Sequence, residues 1–218
     1  MRKAAAVRFE PRKTPLQARS TASVEAIMQA TIQVLLKDGK SKLTTTRIAQ
    51  RAGVSVGTLY QYFPNKNSLL QALLKEHLDS VAHALETACE AAQGASLARM
   101  ADAITSAFVQ AKFRNIDASI ALYAVSDDIE GKRIAHRMHA RAAKAMAALF
   151  QTAQEKTITE PDVLAATLLS AMAGVSRGIL ETGMTRGTMS KMQKELTVMA
   201  RAYLEASAVN IPAVPAKA

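Results

Sequence analysis

Apolar residues return every three or four positions along most of the chain, the spacing of one face of an α-helix. Val24, Ile27, Met28, Ile32, Leu35 and Leu36 follow it, so the pattern predicts a helix from Thr21 or Ser23 to a stop at Gly39. Two short helical segments are expected next, about Thr45–Ala52 and Ser55–Phe63, separated by Gly53-Val54. After Pro64-Asn65, the residues Leu69, Leu70, Leu73, Leu74, Leu78, Val81 and Leu85 predict a longer amphipathic helix over Ser68–Cys89. Beyond Gly94 the same periodicity predicts helices at roughly Ser96–Lys112, Ile116–Val125, Asp127–Gln154, Glu160–Thr182 and Thr188–Ala208. Asp127 and Asp128 would open one of these, where carboxylates meet free amides and the positive end of the dipole.

The predicted organisation is a mobile arm (1–18), a head of three short helices (19–66), a connecting helix (67–93), a larger helical domain (94–209) and a frayed tail (210–218). Composition agrees with an all-α chain. The 218 residues are 49% hydrophobic but only 4% aromatic, with 9 Gly and 6 Pro, an alphabet that suits helices better than strands. One cysteine, Cys89, excludes an internal disulfide framework and any multi-cysteine zinc site, and is expected to lie in a helix, buried or partly so. The apolar stretch at the N-terminus ends at Arg8, before a signal-peptide core could form. The longest apolar run, about 163–176, is shorter than the roughly 18 residues a bilayer-spanning helix needs. A cytoplasmic chain without membrane contact is expected.

Charge sharpens the picture because it is unevenly placed. Residues 1–66 carry twelve Lys and Arg against three acidic residues, a net +9 of the +10 formal charge. Concentrated positive potential favours a polyanion, either nucleic acid or an anionic membrane face. In residues 1–18 alone a solvated basic tail would account for it. The excess nevertheless continues into the patterned segment that follows.

That segment, residues 43–66, reads LTTTRIAQRAGVSVGTLYQYFPNK. Thr44 or Thr45 can cap the first helix, whose leading amides could point at a phosphate. Ala49 and Ala52 let a second helix cross closely, and Gly53 can adopt the positive φ that ends a helix in a tight turn. Val54 is expected to plug the corner, with Ile48, Leu59 and Phe63 forming a miniature core, while Ser55 caps the second helix. Helix, short Gly-containing turn, helix is the arrangement that lays its second helix in the DNA major groove. Small or polar residues at Val56, Gly57 and Thr58, then Tyr60, Gln61 and Tyr62, suit base-edge and phosphate contact better than core packing. Lys66 could neutralise a further phosphate. A helical corner without a ligand is the alternative.

The run Thr44-Thr45-Thr46-Arg47-Ile48-Ala49-Gln50-Arg51-Ala52-Gly53-Val54-Ser55, followed by Gly57-Thr58-Leu59-Tyr60-Gln61-Tyr62-Phe63 and by Asn65-Lys66 with Leu69, resembles the TetR-type transcriptional regulators over about residues 20–75. The resemblance implies a three-helix head on a larger effector-binding and dimerisation domain. It assigns DNA contacts to Thr45, Thr46 and Arg47, then to Gly57, Thr58, Tyr60, Gln61, Tyr62 and Lys66. Val56 stands where relatives often carry a polar base-reading residue, and could offer only apolar contact, such as to a thymine methyl. The implied partners are a double-stranded operator, a second copy of the chain and a small-molecule effector that releases a repressor. A constitutive DNA-binding protein without an effector is the alternative.

The larger domain carries no comparable motif. Small residues between 160 and 182 (Ala165, Ala166, Ser170, Ala171, Ala173, Gly174, Ser176, Gly178) would let that helix approach a copy of itself, or simply pack inside. Ile104, Phe108, Phe113, Tyr123, Met138, Met146 and Met172 are candidate linings of an effector pocket, although methionines also fill cores. Lys132, Arg133, Arg137, Arg141 and Lys144 read as a solvated helix face, and His136 and His139 as solvent-facing residues rather than metal ligands. No cofactor motif and no nucleophile–base set is present, so an enzyme is not expected.

Overall fold

The computed structural model describes residues 18–126, 129–154, 156–182 and 186–210. The expected basic arm up to residue 17, the helix-opening Asp127 and Asp128, and the tail beyond Asn210 lie outside the described residues. Among the described residues the chain is almost wholly helical: α1 (Ala18–Asp38), a 3-10 turn (Lys40–Lys42), α2 (Thr45–Ala52), α3 (Val56–Tyr62), α4 (Lys66–Ala91), α5 (Leu97–Phe113), α6 (Ile116–Ser126), α7 (Ile129–Phe150), α8 (Pro161–Thr182) and α9 (Arg186–Ala206). Two three-residue strands, β1 (Lys156–Ile158) and β2 (Ala208–Asn210), complete it. The fold is all-α, with a helix-turn-helix head and a larger helical domain. Packing divides the chain into two units, 1–77 with 117–135, and 78–116 with 136–218.

In the first unit α1 packs on α2, and α2 on α3. The helical spacing of Ile27, Ala30, Val34 and Leu35 buries one face of α1, while Leu69, Leu70, Leu73 and Leu74 do the same for the start of α4. Thr31 is fully buried among them, and its hydroxyl donates to the Ile27 carbonyl at 2.7 Å, which removes the cost of an unsatisfied polar group. Gly39, at φ 77°, ends α1 as the sequence suggested.

In the second unit α5 and α9 pack together along most of their length. Thr105 meets Thr197 at 2.9 Å, and Arg201 forks onto Asp102 at 2.7 and 2.5 Å. Those two pairings run in opposite senses along the helices, so α5 and α9 are antiparallel. Arg141 of α7 reaches the α4 carboxylates: its Nε donates to Glu86 at 2.6 Å, and a second nitrogen donates to Asp79. The basic stripe is therefore not uniformly solvated. Lys132, Arg133, Arg137 and Lys144 are exposed, whereas Arg141 is an ionic strut between helices. His136 is exposed, but His139 is half-buried against Ser170 at 3.3 Å, and burial lowers its pKa.

Three further expectations need correction. The helix foreseen to Gln154 stops at Phe150, because the chain turns through Thr152 to enter β1. Thr152 accepts from the Gly94 amide at 3.0 Å and donates to the Leu149 carbonyl at 2.7 Å, which fixes that turn. Asn210, placed in a frayed tail, pairs with Lys156 in the antiparallel β1–β2 ladder. Finally, α8 extends past the apolar run to 22 residues and is by length and composition apolar enough to cross a membrane. One face of it, Leu164, Leu168, Leu169, Met172 and Leu180, is nonetheless packed as core in this unit.

Candidate nucleic-acid interface

The corner formed by α2 and α3 is built by local rules that its sequence satisfies one by one. Thr44 is the N-cap of α2, extended at φ −126°, with its hydroxyl accepting from the Arg47 amide at 3.3 Å. Gly53 closes α2 in the left-handed region at φ 69°, with a Val54 amide bond back to the Ala49 carbonyl at 3.0 Å. A side chain at Gly53 would meet nothing within 4 Å, so the backbone conformation alone selects glycine there. Ser55 caps α3, accepting from the Thr58 amide at 2.9 Å and pairing with the Thr58 hydroxyl at 2.8 Å. Ile48, Ala49, Leu59 and Phe63, joined by Leu43, form the miniature core. Val54 is only half-buried, so Leu43 fills more of the corner than Val54 does.

Leu59 is the single buried side chain of α3. Gly57 and Gln61 are exposed, Tyr60 is 42% exposed, and Val56, Thr58 and Tyr62 are half-buried. Thr46 and Arg47 are exposed on α2, with Thr45 half-buried beside them. The structure brings Thr45 and Tyr60 into contact, hydroxyl to hydroxyl at 3.2 Å, which links the first turn of α2 to the outward face of α3.

Lys66, the first residue of α4, makes a contact within the fold. Asn65 caps α4 by accepting from the Ser68 amide at 2.8 Å, and Ser68 accepts in return from the Asn65 amide at 3.3 Å. That cap directs the Lys66 ammonium onto the Leu43 carbonyl at 3.1 Å. The residue thus pins the approach to α2, leaving two of its three N–H donors for other partners.

Sequence reasoning missed a groove of about 510 Å³ between α1 and α2, lined by Gln33, Val34, Lys37, Asp38, Arg47, Gln50 and Arg51. Arg47 bridges to Asp38 at 3.2 Å, and Arg51 donates to Gln33 at 2.6 Å. The four-residue spacing of Arg47 and Arg51 was the available signal, since it places both on one face of α2.

The effector-pocket candidates scatter. Ile104, Phe108, Phe113, Met146 and Met172 are buried core side chains, whereas Tyr123 and Met138 are half-buried. A second groove, about 370 Å³ beside Ala92 and Ala103, is lined by none of the seven. Lys112, buried at the end of α5, has its pKa lowered to about 8 by burial. Cys89 is buried too, and desolvation, then Glu86 and Glu90, push its thiol up to about 12. Among the described residues no cluster of three or more His, Cys, Asp or Glu could hold a metal ion.

This geometry has close counterparts. A family model described as "Bacterial regulatory proteins, tetR family" matches residues 27–73, and one described as "Tetracyclin repressor-like, C-terminal domain" matches residues 96–204. The uncharacterized HTH-type transcriptional regulator YvkB of Bacillus subtilis is 40% identical over 60 residues, 28% of this chain and 32% of that protein. The nucleoid occlusion factor SlmA of Actinobacillus pleuropneumoniae is 40% identical over 58 residues, 24% of this chain and 29% of its own. The chain thus spans about a third of the length of the curated relatives it matches. A crystal structure of a putative TetR-family transcriptional regulator from Mesorhizobium loti superposes with a TM-score of 0.69 at 18% identity, covering 88% of this chain and 100% of that one, which is a likeness of fold. With one match on the helix-turn-helix corner and another over half of the chain, the protein belongs to the tetR family of bacterial regulatory proteins.

Proposed function

We propose that the chain is a dimeric, sequence-specific DNA-binding regulator that works in the cytoplasm, a repressor released from its operator by a small-molecule effector. The observation that carries the DNA reading is α3: seven residues, capped at Ser55, with Leu59 as its one buried side chain and Gly57, Tyr60 and Gln61 exposed. On this reading Val56, Gly57, Thr58, Tyr60, Gln61 and Tyr62 meet base edges and flanking backbone in the major groove. Thr45, Thr46 and Arg47 sit on phosphates at the first turn of α2, and the spare donors of Lys66 sit on another.

Self-association is supported by the outward face of α8. Thr167, Ser170, Gly174 and Gly178 are exposed there beside Val163, and a Cβ at either glycine would meet nothing within 4 Å. A second copy packing closely on this surface would set two heads on half-sites about one helical turn, or a multiple, apart. An effector that favours dimers with a different head spacing would weaken DNA binding by shifting that population.

A second reading, DNA binding without an effector, draws support from the core placement of Ile104, Phe108, Phe113, Met146 and Met172. Duplexes selected from a random pool test the main reading. It expects one sequence to be enriched, and Thr58→Ala and Tyr62→Ala to weaken binding to it about 10- to 100-fold with dimerisation intact. Failure to enrich any sequence would overturn it. Compounds that change affinity for the selected duplex support the effector; their absence from a broad screen supports the second reading.

A further inference from the structure

The α1–α2 groove is not used by the assignments above, apart from Arg47 at its mouth. Its lining is three cations (Lys37, Arg47, Arg51), two amides (Gln33, Gln50), one carboxylate (Asp38) and one apolar residue, Val34. Pockets for drug-like ligands and for peptide anchors are mostly apolar. Here the one apolar residue, Val34, is itself only 6% exposed, so charged and amide side chains make up most of the lining. Lys37, Gln50 and Arg51 are exposed donors on two walls, the end of α1 and the length of α2.

Two of the three cations are also held in place. Gln33 accepts from the Arg51 Nε at 2.6 Å, which leaves the terminal nitrogens of that guanidinium as donors for another partner. Arg47 rests on Asp38 in an ion pair whose side chains are 50% and 28% exposed. A pair this open is worth little, so exchanging Asp38 for a phosphate oxygen costs almost nothing. Arg47 stands in the first turn of α2, beside Thr45 and Thr46, and Arg51 stands one turn further on. The groove therefore continues from the edge of the face that the proposed reading turns to DNA.

We infer that this groove is a second phosphodiester seat, holding the backbone of double-stranded DNA outside the segment that α3 reads, with Lys37, Arg47 and Arg51 as its anion-binding groups. The inference rests on the proposed DNA reading for the orientation of the head. A phosphodiester backbone fits better than an acidic protein segment, because six of the seven lining residues are charged or amide and a peptide anchor would need a more apolar lining.

The test uses the full chain and a random-sequence 40-base-pair duplex, with affinity measured from 50 to 300 mM KCl. Each phosphate contact contributes about 0.9 to the slope of log affinity against log salt. Lys37→Gln/Arg51→Gln should flatten the slope by about two per head and weaken binding at 50 mM, whereas Lys75→Gln, an exposed α4 cation, should leave the slope unchanged. Asp38→Asn frees Arg47 and should strengthen binding several-fold, while Glu25→Gln, which alters net charge equally, should not. An unchanged slope in the double variant, or equal effects of the groove and control substitutions, would overturn the inference. A gain or loss confined to binding of an acidic peptide would overturn it as well. No operator is needed, so the outcomes separate: a wild-type chain that ignores all duplexes defeats the proposed function, and one that binds with an undisturbed slope defeats only the groove.

Discussion

Replacing Gly57 with alanine should stabilise the head and at the same time weaken its grip on DNA. The position lies in the first turn of α3, where a Cβ would have one neighbour, the Ser55 hydroxyl oxygen at 3.6 Å, an ordinary contact. Nothing inside the fold therefore requires glycine. In a helix that freedom costs about 0.5–1 kcal/mol relative to alanine. With a urea slope of about 2 kcal/mol per M, Gly57→Ala should move the unfolding midpoint upward by about 0.2–0.5 M. On the DNA side, a methyl forced into a close-fitting surface costs about 1–3 kcal/mol, which is about 5- to 150-fold in affinity. Urea titration followed by circular dichroism gives the first number, and fluorescence anisotropy with the selected duplex gives the second. Opposite signs are the signature of a glycine kept for an external surface. A destabilised variant would mean that the fold itself needs Gly57, and unchanged affinity would remove this face of α3 from the DNA contact.

Lys66→Ala should lower stability by about 1–2 kcal/mol through loss of the bond to the Leu43 carbonyl, and should also reduce the salt slope of DNA binding by about one per head; a change in the slope alone would show that the bond contributes nothing to folding. Lys112 gives the larger unit a pH response. Its folded pKa of about 8 lies below the ordinary 10.5, so the unfolded chain binds more protons between those values and stability should rise with pH across that window, by at most roughly 3 kcal/mol. Denaturant titrations at pH 7.5, 8.5 and 9.5 should show the rise in the parent chain and its loss in Lys112→Met; parallel curves would contradict it. Cys89, buried and pushed up to about 12, should resist a thiol reagent at pH 8 in the folded chain and react fully in denaturant; rapid native labelling would refute its burial.

Much of the fold was legible because short-range rules determine it. The α2 bounds, the Ser55 cap and the positive φ of Gly53 follow from residues within four positions of one another and stand as the sequence suggested, and of the two threonines it offered as the α2 cap the structure uses Thr44. What escaped depends on partners far along the chain. The β1–β2 ladder joins three-residue segments some fifty positions apart, too short for a period-two pattern to declare itself. Arg141 looked like one cation of a solvated stripe, because nothing local reveals that Asp79 and Glu86 face it from α4. Nor does anything local reveal the bond made by Lys66, because the Leu43 carbonyl that accepts it lies 23 residues earlier. Methionine and phenylalanine positions in the larger domain could not distinguish a pocket wall from a core, since both require the same apolar spacing.

The central claim is that α3 lies against base-pair edges in the major groove. Dimethyl sulfate footprinting of the selected duplex tests it, because guanine N7 faces the major groove and adenine N3 the minor groove. The account predicts that the parent chain protects guanine N7 in both half-sites, and that Tyr62→Ala or Thr58→Ala removes this protection. Protection of adenine N3 alone, or of neither atom while the duplex stays bound, would contradict it.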